Sequence, residues 1–383
     1  MKKHLTPQLR RSRLPFLAMG ILSLLSGIWG GLIRLPLNLP LPANNANWIT
    51  FHGPLMVCGF LGTVIALERA VGLQTRWAYA APLLTGAGAL TLVFGFLGPV
   101  GPALFTLGSA AFLIVTLRVV QLQRAFFTVT MSLGASAWLT GNVLWLVGWP
   151  VNRVVLWWVA FLALTILGER LDLSRFQRPV RWAPPILIAS LALFLGGIIL
   201  SVFEQTPGER LAGIGFVSLA LWLGRFDIAR RTVRQEGLTR FMAICLLAGY
   251  VWLGVAGVLL VCFAPLGFGP GYDAVLHAFF LGFVFSMIFG HAPVIFPAVL
   301  NLPVAFRNHF YGHAGLLHAS LLLRVMADLS GWGEGRQLGG LLNAAAILLF
   351  LVNTVTSLRG NSKIYSTRNS RSCSRTTSTG QGA

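Results

Sequence analysis

Apolar stretches of about twenty residues, each long enough to cross a hydrocarbon core of ~30 Å, recur along the whole chain. Twelve are predicted, over 14–33, 48–68, 77–97, 101–120, 126–147, 153–169, 182–203, 211–226, 241–264, 272–298, 309–329 and 337–357. In lipid each segment must satisfy its own backbone, so each is expected to be a helix. The sequence is 56% hydrophobic and 10% charged, with a mean hydropathy of +0.75, which excludes an ordinary soluble domain. The expected fold is all-α, a polytopic membrane helix bundle of about twelve spans.

The net charge of +19 would suggest nucleic acid in a soluble protein. Its distribution points elsewhere. With the N-terminus in the cytoplasm, all but five of the 29 Lys and Arg residues fall on the inner side. Arg34, Arg153, Arg210 and Arg336 fall outside, and Arg324 lies within a span. This asymmetry is the positive-inside signature and predicts an even number of spans with both termini cytoplasmic. The bilayer is the expected partner, in a bacterial-type inner membrane, with no role for nucleic acid. The first apolar segment reads as a span, since it has no small-residue cleavage site.

Loops are short. Residues 1–13 read as a cytoplasmic N-terminus, 14–358 as the membrane domain, and 359–383 as a disordered Ser/Thr/Arg-rich cytoplasmic tail. A weak internal repeat is visible. The second segment ends in ALERAV and is followed by RWAYAAPLL; the sixth ends in LGERLD and is followed by RWAPPILIA. Glu68 and Glu169 are 101 positions apart. The spacing hints at three four-helix units. Glu68-Arg69 and Glu169-Arg170 read as structural pairs at inner helix ends, with a proton relay as the other reading. Cys58, Cys245 and Cys262 read as small apolar fillers.

Histidine is the unusual component. His52, His277, His291 and His318 fall inside predicted spans, and His313 lies about one turn into one. Imidazole in hydrocarbon must be paired, hydrogen-bonded or ligated. His52 follows the interfacial Trp48 by four residues, and His277 follows Tyr272 by five. Both segments run inward, so the two rings are expected at matched depth, roughly 6–8 Å below the outer boundary at the helical rise. Matched depth on two helices suits a bis-His haem, with one axial nitrogen from each. Glycines and Phe51, Phe60, Phe279, Phe280 and Phe283 would admit and flank a flat macrocycle. Arg324 lies near the same depth and could meet a propionate, or pair with Asp328 one turn on. Met56 is a further sulfur donor, or core.

A second group is expected on the inner side. His291 lies fourteen residues after His277, roughly 21 Å deeper on the same face. It falls in GHAPVIFP, where Pro293 and Pro297 are expected to break the helix. His309 and His313 have the i,i+4 spacing that suits a transition metal. A copper or second haem site from His291, His313 and His318 is one reading; hydrogen-bonded packing of each is the other.

Twelve helices with histidines near the outer ends of the second and tenth resemble the catalytic subunit of haem-copper oxidases. There the low-spin haem lies between those two helices. The sixth and seventh segments hold no histidine, so the copper ligands of the oxygen-reducing centre are missing. The stretches HGPLMVCGFLGTVIALERAV and LHAFFLGFVFSMIFGHAPVIFPAVL resemble more closely the NnrS family, twelve-helix haem- and copper-containing membrane proteins linked to nitric oxide and denitrification. That resemblance implies a b-type haem, copper, and a redox or nitric-oxide-response role with a redox partner or small gas ligand. Two rivals stand beside it. A secondary transporter would use the repeats and the polar residues Glu68, Asn142 and His318. A haem or copper handling factor for oxidase assembly would exchange its metal with a partner.

Overall fold

A computed structural model describes residues 13–35, 37, 39–40, 47–96, 98–175, 180–300 and 304–373. Among them every regular element is helical and no strand occurs. The first helix, α1, spans Leu14–Ile33, with Pro15 in its first turn, where a missing N–H costs nothing. The α2 rod runs over 47–73 and α3 over 76–93. Then follow α4 (Val100–Leu122), α5 (Phe126–Leu146), α6 (Val151–Ser174), α7 (Ala183–Phe203) and α8 (Gln205–Phe226). A short helix, Ala229–Thr232, leads to α9 (Gly237–Phe263). The α10 rod covers 270–300, α11 is Phe310–Ser330, and α12 is Gly333–Cys373.

Eight of these helices are long and apolar enough to cross a membrane: α1, α2, α4, α6, α7, α9, α10 and α12. The four others predicted as spans are helical too but fall short on that measure. The α-helical part of α3 has only 14 residues. α5 carries six Ser, Thr and Asn positions between Thr128 and Asn142, α8 opens on Gln205-Thr-Pro-Gly-Glu-Arg, and α11 holds two histidines, Arg324 and Asp328. The backbone of α12 continues past 358 to Cys373, so the expected unstructured tail begins as helix. Residues 1–12, including His4, lie outside the described residues.

Successive helices pack against one another along much of the chain, as in α4–α5, α5–α6, α7–α8, α8–α9 and α11–α12. Glycine allows the closest of these approaches. A Cβ on Gly197 would lie 2.2 Å from the Ala212 nitrogen, so α7 and α8 touch backbone to backbone there. Three helices lie inside. The apolar windows of α2, α6 and α10 are 61%, 72% and 67% buried, against 33–56% for the other five candidate spans. These three are linked directly. Phe60 of α2 stacks on Phe285 of α10, Arg69 of α2 pairs with Glu169 of α6, and Arg170 of α6 reaches His291 of α10.

The ends of α2 and α6 therefore pair across helices, and not as the neighbouring Glu-Arg pairs expected. Arg69 takes Glu169, while Arg170 forks onto Asp227 at 2.9 and 3.0 Å with both side chains buried. A guanidinium fork reaches a carboxylate on another helix better than one adjacent in sequence, whose side chain diverges around the axis. Pro293 and Pro297 also depart from expectation: helix Ser286–Leu300 runs through both. Packed neighbours hold such a helix together, and Arg13 Nη1 donates to the Val299 carbonyl at 2.8 Å.

Asn142, fully buried on α5, is a packing hub. Its Oδ1 accepts from Trp158 Nε1 at 3.0 Å and from Cys58 Sγ at 3.3 Å. Its Nδ2 donates to the Phe105 carbonyl at 3.2 Å and Ser109 Oγ at 3.0 Å. Every polar position of the amide is used, which is what burial demands.

Candidate functional site

Residue His52 stands where α2 changes its winding. The rod starts as Asn47–Thr50, breaks at Phe51 (φ −102°, ψ 20°), and resumes at His52–Pro54. It continues as a π-helix over Leu55–Gly62 before returning to α from Thr63. Pro54 has no N–H to give, and the wider winding that follows leaves carbonyls to be met from outside. Ser23 Oγ of α1 donates to the Leu55 carbonyl at 2.8 Å. The imidazole is held by α1 as well. His52 Nδ1 lies 2.6 Å from the Gly27 carbonyl. A Cβ on Gly31, one turn further, would come within 2.8 Å of His52 Cε1, so only glycine leaves the ring its place.

His277 repeats the arrangement. Its Nδ1 lies 2.8 Å from the Asp273 carbonyl and 3.3 Å from Asp273 Oδ1. A π-helix, Ala278–Phe285, starts at the next residue. In both rings the nitrogen facing a carbonyl must carry the hydrogen. That fixes the tautomer and leaves Nε2 with a lone pair. Among the described residues neither Nε2 has a hydrogen-bond partner.

Asp273 is the keystone of this end. Its Oδ2 accepts from Arg324 Nε at 3.0 Å and Nη2 at 2.9 Å. Arg336 comes within 3.8 Å of Asp273 and places Nε 3.0 Å from Asp328 Oδ1. Arg324 therefore pairs with Asp273 across helices, and not with Asp328 as the i,i+4 spacing suggested. Any propionate contact by Arg324 would have to share the guanidinium with this carboxylate.

The inner candidates do not converge. Among the described residues no three His, Cys, Asp or Glu side chains are grouped to hold a metal ion. His291 Nδ1 donates to the Met287 carbonyl at 2.7 Å, but its Nε2 faces Arg170 Nη1 at 3.4 Å, so its lone pair is occupied. His318 Nδ1 accepts from Trp252 Nε1 at 3.1 Å. His313 is fully buried beneath the rings of Phe241, Phe289, Phe310 and Phe350. Its Nδ1 meets Asn353 Nδ2 at 3.1 Å, and its Nε2 has no partner. His309 is exposed and stacked on Phe310, so the i,i+4 pair does not share an environment.

A cavity of about 120 Å³ opens between the central helices below Phe60. Its walls are apolar except for Thr165 and three ionisable groups, Glu68, Glu169 and His291.

Sequence reasoning singled out His52 and His277 and missed what holds their rings. Asp273 precedes His277 by four residues, and that i,i+4 spacing was the available signal. Asp227, Trp252 and Asn353, which fix Arg170, His318 and His313, lie on other helices with no local signal. A family model described as a domain of unknown function (DUF8744) matches residues 13–359. No curated protein matches the chain.

Proposed function

The chain belongs to the DUF8744 family, and we propose that this member is an integral inner-membrane haem protein of NnrS type, serving redox chemistry or a nitric-oxide response. His52 and His277 are the residues that would hold the haem. One observation carries the reading: among the described residues, these two imidazoles combine an Nδ1 fixed by a backbone carbonyl with an Nε2 that meets no hydrogen-bond partner. A carbonyl that accepts from the far ring nitrogen orients a ligating histidine and raises its basicity. The π-helix beside each histidine adds support, since such winding concentrates at functional sites. The Phe60–Phe285 stack supports equal depth for the two rings.

Bound b-type haem would supply one-electron chemistry. The chain's own residues fix the imidazoles and hold Arg324 and Asp273 as a compensated pair beside His277. Two histidine ligands leave no open position, which favours electron transfer or sensing. A gas ligand would require one of the two imidazoles to give up its place.

The finer membrane reading belongs here too: twelve spans, both ends cytoplasmic, and three four-helix units. The central place of α2, α6 and α10, four helices apart, supports the three-unit plan. Copper at His291, His313 or His318 would need rearrangement of Arg170, Trp252 or Asn353.

The test is the absorption spectrum of protein purified after expression with haem supply. A Soret band with low-spin features, lost in both His52→Ala and His277→Ala, is expected. Haem-free protein that folds normally would overturn the proposal. The cavity lined by Glu68, Glu169 and His291 favours a second reading, a proton-coupled transporter. Solute uptake by haem-free protein in vesicles, abolished by Glu68→Gln, would decide for it.

A further inference from the structure

A groove of about 830 Å³ opens at the arginine-rich end of α6, α7 and α8. Five exposed arginines line it: Arg175, Arg225, Arg230, Arg231 and Arg234. The carboxylate among the lining residues, Asp227, is already spent. It holds Arg170 and caps the Ala229 nitrogen at 2.7 Å, which fixes the short helix that presents Arg230 and Arg231. Arg175 pairs with Asp172 at 3.1 Å, and Arg230 Nη1 donates to the Arg225 carbonyl at 3.2 Å. Among the described residues Arg231 and Arg234 have no acidic partner. The groove therefore has a net positive mouth with two uncompensated guanidiniums.

Its other wall is apolar. Val180 and Ile188 are 51% and 55% exposed, and behind them lie buried Leu187 and Trp222. Trp222 spends its N–H on the Ala183 carbonyl at 2.7 Å, so it offers only carbon. Leu187 and Ile188 of this wall belong to α7, of whose apolar window only 33% is buried. Basic residues at the rim of an outward-facing apolar wall match a phosphate joined to acyl chains. A free phosphate would have no use for the wall. By the positive-inside rule this end faces the cytoplasm, where anionic lipids are drawn to such clusters.

We propose that the α6–α7–α8 groove is a binding site for an anionic phospholipid, its phosphate between Arg231 and Arg234 and its chains along Val180 and Ile188. Native mass spectrometry of the detergent-purified full chain tests this, using dioleoyl phosphatidylglycerol, dioleoyl phosphatidylcholine and inorganic phosphate as probes. The expected result is retention of phosphatidylglycerol over phosphatidylcholine, undisturbed by phosphate. Arg231→Gln/Arg234→Gln should weaken retention roughly thirtyfold, at about one kcal/mol for each arginine. Arg118→Gln/Arg124→Gln, an equal charge loss elsewhere, should leave it unchanged. If the double variant is poorly folded, Arg234→Gln alone should give a loss of about fivefold. Equal retention of both lipids, equal loss in the control variant, or displacement by phosphate alone would each overturn the proposal.

Discussion

Phe60 and Phe285 stack with centroids 6.2 Å apart and ring planes 27° from parallel, and each is the eighth residue after its histidine, His52 or His277. Equal offsets from a shared contact put the two rods in one register. Glu68 and His291 lie at similar further distances and line one cavity, so α2 and α10 run side by side in the same direction. That register is what the proposed bis-His site requires of the two rods.

Gly31→Ala should move the His52 ring while leaving the fold intact, because the new Cβ would lie 2.8 Å from Cε1. A changed or lost low-spin haem spectrum with an unchanged thermal midpoint is expected. Gly72→Ala, with nothing within 4 Å, is the matched control and should be silent. A spectrum identical to wild type in Gly31→Ala would sink the assignment of His52.

The two inner ion pairs should differ in weight. Arg170 and Asp227 are 3% and 1% exposed, so Asp227→Asn strands a buried cation at a cost of about 3–5 kcal/mol. Arg69 and Glu169 are 24% and 27% exposed, so Glu169→Gln should cost no more than about 1 kcal/mol. Thermal unfolding in detergent checks the order, and the reverse order would refute it.

Asp273→Asn removes the charge shared by Arg324 and His277. A loss of about 3 kcal/mol is expected from the stranded guanidinium, together with a shift in the haem reduction potential. Asp328→Asn should leave that potential nearly unmoved, since its partner is Arg336. Potentiometric titration of both variants separates the two roles.

Asn142→Leu should destabilise by about 1–3 kcal/mol, the cost of leaving the Trp158 N–H unpaired. Its haem spectrum should match wild type. A transport defect without destabilisation would instead return Asn142 to the list of translocating polar groups.

The helical class and the twelve rods were legible because hydropathy acts locally, segment by segment. For the outer histidines the sequence offered their spacing from Trp48 and Tyr272, which carries the expectation of matched depth. What failed was pairing between helices. Arg324 offered an i,i+4 partner in Asp328, yet Asp273, 51 positions away, holds it. Arg170 sits next to Glu169 but reaches Asp227, 57 positions on. Sequence distance carries no information on which helix faces which. The π-helices were equally hidden, since their i→i+5 winding leaves no compositional mark beyond Pro54 on α2 and none on α10.

The placement of α2, α6 and α10 at the centre also governs biogenesis. Arg69 leaves the ribosome a hundred residues before Glu169. Arg170 must wait for Asp227, and then for His291, before its surroundings close. Until the tenth rod arrives, the buried faces of α2 and α6 lack the helix that closes them. A chain stopped before residue 270 would keep those faces open for good, and quality-control proteolysis should remove it.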